Sequence, residues 1–287
     1  MTAIHFQVAD IVHDRPVELS PLVRRITASN SGVMTGPGTN TYLLGREQIA
    51  VIDPGPADDA HVEAILRACD GRLRWILTTH THPDHSPAAR PLAAKTGARV
   101  LGNVIADDGR QDTSFRPERG FAHDEIFATG EFRLRALATP GHVGNHLCFL
   151  LEDEQLLFTG DHIMQGSTVV ITPPNGDMKD YLDSLRMLLD YPIAALAPAH
   201  GQLMLDPVAE IEGLIAHRLS REARVVAVLR QQRQGTLDQL TPPVYSDVDA
   251  GLHPIARYSL WAHLLKLQKD GLAREQAGTW SWLGSES

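Results

Sequence analysis

The segment TTHTHPDHSPAA, residues 78–89, contains three histidines and one aspartate within six positions. A predicted strand, residues 73–79, leads into it. His80 and His82 are two residues apart, so in an extended segment both side chains leave on the same side and can converge on one ion. Pro83 favours this geometry, because a proline disfavours the helical conformation at the residue before it. The segment therefore predicts a metal-binding loop.

The alternative is a polar loop whose histidines are merely solvated, which is the usual explanation for a single histidine. Further candidate ligands at the ends of other predicted strands favour a metal site, because ligands from several strand ends are what a site on a sheet edge requires. Nitrogen and carboxylate ligands without sulfur suit zinc, with manganese or iron as alternative occupants. The further candidates are His142 after residues 132–139, Asp161 after residues 156–160 and His200 after residues 194–197.

Length and composition indicate a globular protein. The 287 residues exceed the usual size of one domain, and 43% of them are hydrophobic and 21% charged. Cys69 and Cys148 lie far apart and suggest neither a disulfide framework nor a thiolate zinc site. No apolar run reaches the ~20 residues of a membrane helix, and the N-terminal residues do not resemble a secretion signal, so we expect a cytoplasmic protein without membrane association.

Up to about residue 205, short apolar runs alternate with helical patterns, which favours mixed sheets covered by helices. Ser86 and Pro87 fit the N-cap and first position of one helix, and Pro91 is expected to kink it. The predicted strands are 49–53, 73–79, 99–102, 132–139, 147–151, 156–160 and 194–197, and the predicted helices are 57–69, 86–96 and 178–190.

The sequence pattern changes at residue 207, where a long helical periodicity begins. We therefore predict a domain at 1–206 and a second one at 207–287. The second domain is predicted to contain three helices and two short terminal strands, typical of a winged helix, with Pro242 and Pro243 in a loop.

Five motifs resemble those of the metallo-β-lactamase superfamily and occur in its order. They are VIDPG at 51–55, THTHPDH at 79–85, TPGH at 139–142, TGD at 159–161 and PAHG at 198–201. The resemblance implies an α+β fold, an αββα sandwich with a dinuclear metal site at one edge of its sheets. It also implies that His80, His82 and His142 bind one ion, that Asp84, His85 and His200 bind the other, and that Asp161 bridges them.

The chemistry expected of such a site is hydrolysis by a metal-bridging hydroxide, because paired cations lower the pKa of a shared water from ~16 toward ~7. Asp84 is the candidate catalytic residue that orients this water and shuttles its proton. Asp53 is expected to fix a ligand histidine or a loop from behind. His146 is a further candidate for this supporting role or for the substrate mouth.

The C-terminal region resembles the winged-helix domain of the lactamase-beta-like protein 2 group, whose characterised animal member is an endoribonuclease for single-stranded RNA. Residues 207–287 carry nine basic and nine acidic side chains, so the net charge of −9 falls on residues 1–206. A nucleic-acid-binding helix normally carries a basic excess. We therefore expect this domain to be a cap beside the active site or a homodimer surface.

Two substrate classes remain open for the expected hydrolase. A small acyl ester or thioester is the preferred substrate, because an acidic surface does not oppose its binding. The alternative is single-stranded RNA, which would require Arg116, Arg119, Arg257 and Lys266 to form local basic patches. A non-enzymatic nucleic-acid-binding regulator is disfavoured, since a purely structural metal site would not need so complete a two-metal ligand set.

Overall fold

The computed structural model describes residues 6–284, which belong to two compact units. The first unit contains the chain up to Thr139, Asn145–Thr168 and Tyr191–Pro207. The second contains Pro140–Gly144, Val169–Asp190 and the chain from Val208 onward. The second unit thus includes two segments that precede residue 206, and the domain boundary at residues 206 and 207 remains a prediction.

The first unit contains two mixed β-sheets, as the sequence predicts. In the first sheet, the strands lie in chain order, and the pairs β4–β5 and β5–β6 are parallel while the others are antiparallel. Its strands are β1 (Val17–Glu18), β2 (Val23–Thr27), β3 (Asn40–Leu44), β4 (Ile49–Ile52), β5 (Leu73–Leu77) and β6 (Arg99–Leu101).

The second sheet has the order β11-β10-β9-β8-β7, and only β10 and β11 pair in parallel. The sequence did not predict β1, β2, β3 or β7, whose short runs include polar side chains. The strands of this sheet are β7 (Glu125–Ala128), β8 (Arg133–Ala138), β9 (Leu147–Leu151), β10 (Leu156–Gly160) and β11 (Ala195–Pro198).

The central strands of the first sheet are buried on both faces. In β4, Ala50 and Ile52 join the core that the two sheets share, while Ile49 and Val51 join a second core on the opposite face. This division follows from the two-residue period of a strand. The helices α1 (Asp59–Cys69) and α2 (Ala89–Thr96) cover that opposite face with apolar side chains. The first sheet is therefore a rigid layer between two apolar cores.

The start of α2 differs from the prediction. Its N-cap is Ala88, without a side-chain capping bond, and the Ser86 hydroxyl instead donates to Asp112 at 2.7 Å. The helix therefore begins three residues later than predicted. Pro91 consequently lies in the first turn, where backbone N–H groups have no acceptor within the helix. The lack of an N–H at proline therefore costs no helical hydrogen bond.

The second unit contains a winged helix, as predicted, and one additional helix, α3 (Met178–Leu188). Pro242 and Pro243 lie inside a short helix rather than in a loop. That helix is fixed at its start by a capping box between Thr236 and Gln239, and the proline φ angle is compatible with its last turn. The remaining elements are α4 (Pro207–Gln232), β12 (Gln234–Thr236), α5 (Leu237–Val244), α6 (His253–Lys269), β13 (Ala273–Gln276) and β14 (Thr279–Trp282).

The winged helix has its own apolar core, in which α4, α5 and α6 meet the small sheet. Leu229, Leu240, Leu264 and Trp280 are all buried within it. None of the helices within residues 6–284 combines the length and apolarity that a membrane crossing requires.

Phe149 provides a test of the core between the two sheets, because it is buried on β9 in contact with residues of both. We expect Phe149→Ala to lower the free energy of unfolding by about 3–5 kcal/mol, since it removes buried apolar surface and leaves a cavity. Urea denaturation followed by circular dichroism measures this change. The control is Val33→Ala, at a side chain that is 80% exposed. Equal stability of the two variants would contradict this core.

Candidate metal centre

The polar residues of this site follow buried strands of the first unit at the point where each strand ends. Asp53 follows β4 directly, and Asp161 follows β10 directly. His80 comes three residues after β5, and His200 two residues after β11. Because β4 and β5 are parallel neighbours, and so are β10 and β11, each pair has its carboxyl ends at one edge of a sheet. Rigid strands therefore fix where these side chains begin.

Within the first unit, the predicted ligands form two overlapping groups. One ligand atom from each of His80, His85 and Asp161 lies within 4.8 Å of the others. The same holds for Asp84, His85 and His200. His85 belongs to both groups, so five of the seven predicted ligands are brought together around one buried imidazole.

Two imidazole nitrogens point at the carboxylates of this cluster. His85 Nε2 lies 3.3 Å from Asp84 Oδ2 and 3.5 Å from Asp161 Oδ1. His200 Nε2 lies 3.3 Å and 3.2 Å from the same two oxygens. Both nitrogens are buried, and within residues 6–284 neither makes a hydrogen bond of standard geometry.

The other ring nitrogens decide which tautomers these histidines adopt. His85 Nδ1 lies 3.0 Å from Asp53 Oδ2, and His200 Nδ1 lies 3.2 Å from the carbonyl oxygen of Gly38. Since a carboxylate and a carbonyl can only accept, both Nδ1 atoms carry the proton. In the neutral rings, each Nε2 therefore directs a lone pair toward two carboxylates. A divalent cation between them removes this repulsion, so the donor set fits a metal ion.

The charge of the cluster supports this conclusion. Burial by itself would lower the pKa of His200, but the carboxylates of Asp161 and Asp84 outweigh it and raise the pKa to about 10. Burial and the neighbouring His85 and His82 instead hold the pKa of His80 well below its usual value. The carboxylates thus attract positive charge, while His80 stays a neutral imidazole, which is the form that binds metals.

Asp53 orients the histidines of this cluster by hydrogen bonds. Its carboxylate accepts hydrogen bonds from the backbone N–H and the hydroxyl of Thr79, both at 2.7 Å, besides the bond from His85. The Thr79 hydroxyl also lies 3.0 Å from His80 Nδ1. One buried carboxylate therefore orients His85 directly and His80 through Thr79.

The other predicted residues have the following positions. His82 Nδ1 lies 2.9 Å from His80 Nε2. His146 is buried, its Nδ1 lies 2.8 Å from the Thr139 hydroxyl, and its ring centroid lies 5.2 Å from that of His80. His142 belongs to the second unit, where its Nδ1 donates to the carbonyl of Val170 at 2.7 Å.

Two supporting residues were not identified from the sequence. The amide nitrogen of Asn40 donates to the carbonyls of Pro198 at 2.9 Å and Gly201 at 2.8 Å, and so holds the loop that carries His200. Gly160 has a φ of +49°, and a Cβ there would lie 2.6 Å from His146 Nε2. Its position in the motif TGD was the only signal available for Gly160, and Asn40 carried none that separates it from other turn residues.

Comparison with known proteins identifies the family. Residues 34–200 match the model of the metallo-beta-lactamase superfamily, which is more than half of the chain. The chain belongs to the metallo-beta-lactamase superfamily. Residues 236–280 match the beta-lactamase associated winged helix domain. These matches confirm the predicted superfamily, its fold and the winged helix, and make the chain a hydrolase of this superfamily.

Relatives within the superfamily cover most of the chain. A beta-lactamase-like protein 2 homolog of Caenorhabditis elegans is 30% identical over 96% of this chain and 95% of its own length. An atrochrysone carboxyl ACP thioesterase of Aspergillus chevalieri is 34% identical over 75% of this chain and 68% of its own length. A solved metallo-beta-lactamase family protein of Thermus thermophilus has a TM-score of 0.76, with 21% identity over 92% of this chain and 99% of its own.

We expect Asp53→Asn to weaken the binding of a divalent metal ion, with zinc as the probe, by about 10- to 100-fold, the usual effect of losing a partner of a ligating histidine. The amide would place an N–H where the carboxylate now accepts hydrogen bonds from Thr79 and His85. Competition with a chromophoric chelator measures the affinity. Asp124→Asn is the control, since Asp124 is an exposed carboxylate paired with Arg135. Unchanged affinity in Asp53→Asn would show that His85 does not depend on this contact.

Proposed function

We propose that this protein hydrolyses small acyl thioesters or esters with two divalent metal ions, zinc being the proposed occupant and manganese or iron the alternatives. The observation that carries the proposal is the convergence of His85 Nε2 and His200 Nε2 on the carboxylates of Asp84 and Asp161. Neither a packing role nor solvation accounts for two buried imidazole nitrogens that are both directed at the same two carboxylates.

In the proposed ligand set, Asp161 would be shared by both ions, because its ligand oxygen lies within 4.8 Å of ligand atoms of His80, assigned to one ion, and of His85, assigned to the other. The assignment of His142 rests on the motif TPGH and on the hydrogen bond that orients its ring. One ion would be held by His80, His82 and His142, and the other by Asp84, His85 and His200.

Bound divalent ions would supply an activated water at neutral pH and polarise the substrate carbonyl. The protein's own residues would then manage the proton. Asp84 suits this task, because its side chain is 26% exposed whereas that of Asp161 is 11% exposed. A carboxylate with solvent access can take the proton of the attacking water and give it to the leaving thiolate or alkoxide, which is released as the thiol or alcohol.

The preference for an acyl substrate rests on charge and on the relatives. The net charge is −9, and three of the four basic residues that an RNA would need pair with carboxylates. Arg119 pairs with Glu125, Arg257 with Asp238, and Lys266 with both Glu222 and Asp270. The relatives from Aspergillus chevalieri and Emericella nidulans are named as thioesterases. A thioester is therefore the first substrate to test.

We expect the zinc-loaded protein to hydrolyse short acyl thioesters, and His80→Ala and Asp161→Ala each to remove zinc and nearly all of this activity. Each substitution deletes a ligand, so the fold should persist while the ion is lost. Thiol release with a chromogenic reagent measures the activity, and elemental analysis measures the zinc. Full activity of an Asp161→Ala protein that tolerates chelators would contradict the site.

The RNA alternative is tested with the same proteins. We expect no cleavage of a labelled single-stranded RNA beyond the level of His80→Ala, because the acidic charge opposes polyphosphate binding. Gel electrophoresis of the products measures cleavage, and His80→Ala controls for contaminating nucleases. Cleavage that requires His80 would replace the acyl substrate with RNA while keeping the metal centre.

A further inference from the structure

The side chain of Arg218, on α4, is buried in the second unit without a counter-ion. It is 3% exposed, and across residues 6–284 no carboxylate lies close enough to form an ion pair with it. Its Nη2 donates to the carbonyl of Val169 at 2.5 Å, and its guanidinium carbon lies 5.3 Å from the centre of the Tyr181 ring. Because burying an unpaired cation costs free energy, this position calls for an explanation beyond packing.

The carbonyl that Arg218 holds is next to the one that orients His142. The carbonyl of Val170 accepts the 2.7 Å hydrogen bond from His142 Nδ1. The residues from 168 to 172 belong to no helix or strand, so regular backbone pairing does not fix these carbonyls. Arg218 is thus a donor that ties this segment to a long helix.

The main chain around His142 is held by α3, which also carries Tyr181. The Asp177 N–H donates to the carbonyl of Gly141 at 2.8 Å, and the Ser184 hydroxyl donates to that of Pro140 at 2.8 Å. A Cβ at Gly141 would lie 2.3 Å from the Cα of Tyr181. The backbone of this loop is therefore already constrained, and the hydrogen bond from His142 Nδ1 to the Val170 carbonyl orients the ring.

We infer that Arg218 is a positioning residue for His142, acting from the winged-helix end of the chain through Val169 and Val170. The inference rests on the proposed function, in which His142 is a metal ligand. A hydrogen bond to one ring nitrogen sets the direction in which the other nitrogen meets a metal. By fixing the 168–172 segment, Arg218 keeps the imidazole of His142 in its binding orientation.

The same helix offers a matched control, Arg221. It is also buried, at 8% exposure, its guanidinium carbon lies 4.4 Å from the centre of the Tyr245 ring, and its Nη1 donates to a backbone carbonyl, that of Val244, at 2.7 Å. Its other contact is an ion pair with Asp247. Arg221 thus resembles Arg218 in type, helix and burial, but none of its hydrogen bonds or ion pairs in the described part of the chain reaches the segment that orients His142.

The experiment measures zinc affinity in the full-length protein by competition with a chromophoric chelator. His142→Ala first identifies which of the bound zinc equivalents depends on this histidine. Arg218→Met is then compared with Arg221→Met, since methionine keeps an apolar stem without the donor. We expect Arg218→Met to weaken the His142-dependent equivalent about 10-fold, the lower end of the range for supporting partners, and Arg221→Met to leave it within threefold.

If Arg218→Met does not yield folded protein, Arg218→Lys and Arg221→Lys carry the same comparison, because lysine lacks the planar guanidinium that stacks on the ring and reaches the carbonyl. Equal affinities in the two variants, whether both unchanged or both weakened, would overturn the role of Arg218 and leave the metal centre standing. If His142→Ala binds zinc as tightly as the wild-type protein does, both the proposed ligand set and the role of Arg218 would be overturned.

Discussion

The geometry of the candidate metal centre depends on the buried carboxylate of Asp53. A carboxylate with 2% exposure must be fully hydrogen-bonded, and here Thr79 and His85 supply the donors. That requirement fixes the proton of His85 on Nδ1 and directs its other nitrogen toward Asp84 and Asp161. The same oxygen atoms join the end of β4 to the segment after β5. One buried charge therefore sets the position of the ligand loop and the tautomer of its central histidine.

The two sheets hold the side chains of the candidate site in defined positions. Strands β4 and β10 are buried along their whole length, so apolar contacts on both faces hold them in place. Their ends therefore present Asp53 and Asp161 from nearly rigid positions, and the polar groups add orientation to a framework that packing has already fixed. Asn40 also adds orientation, because its side-chain amide donates hydrogen bonds to two carbonyls beside His200 that would otherwise be buried without donors.

The sequence was most informative where an apolar run, which predicts a strand, leads directly into residues that can bind a metal. Apolar runs ending in histidine or aspartate predicted the strands before His80, Asp161 and His200, and the parallel pairing of β10 with β11 brings Asp161 and His200 to one edge of the second sheet. The start of α2 was misplaced because Ser86 resembles an N-cap, while its hydroxyl is used by Asp112 across a separate loop. Asn40 and Arg218 could not be assigned roles, since their partners are backbone carbonyls distant in sequence. Such partners appear only once the chain has folded.

The second unit is discontinuous, and this affects the order in which the protein can be completed during synthesis. His142 and α3 leave the ribosome before α4 and α6, the helices that carry Arg218 and Lys269. Arg218 stacks on Tyr181 of α3, and Lys269 forms an ion pair with Asp177, the N-cap residue of α3. The contacts of residues 169–190 with Arg218 and Lys269 can therefore form only once these residues of the last third of the chain have been synthesised. The support that Arg218 gives to the segment orienting His142 thus arrives only with this later part of the polypeptide.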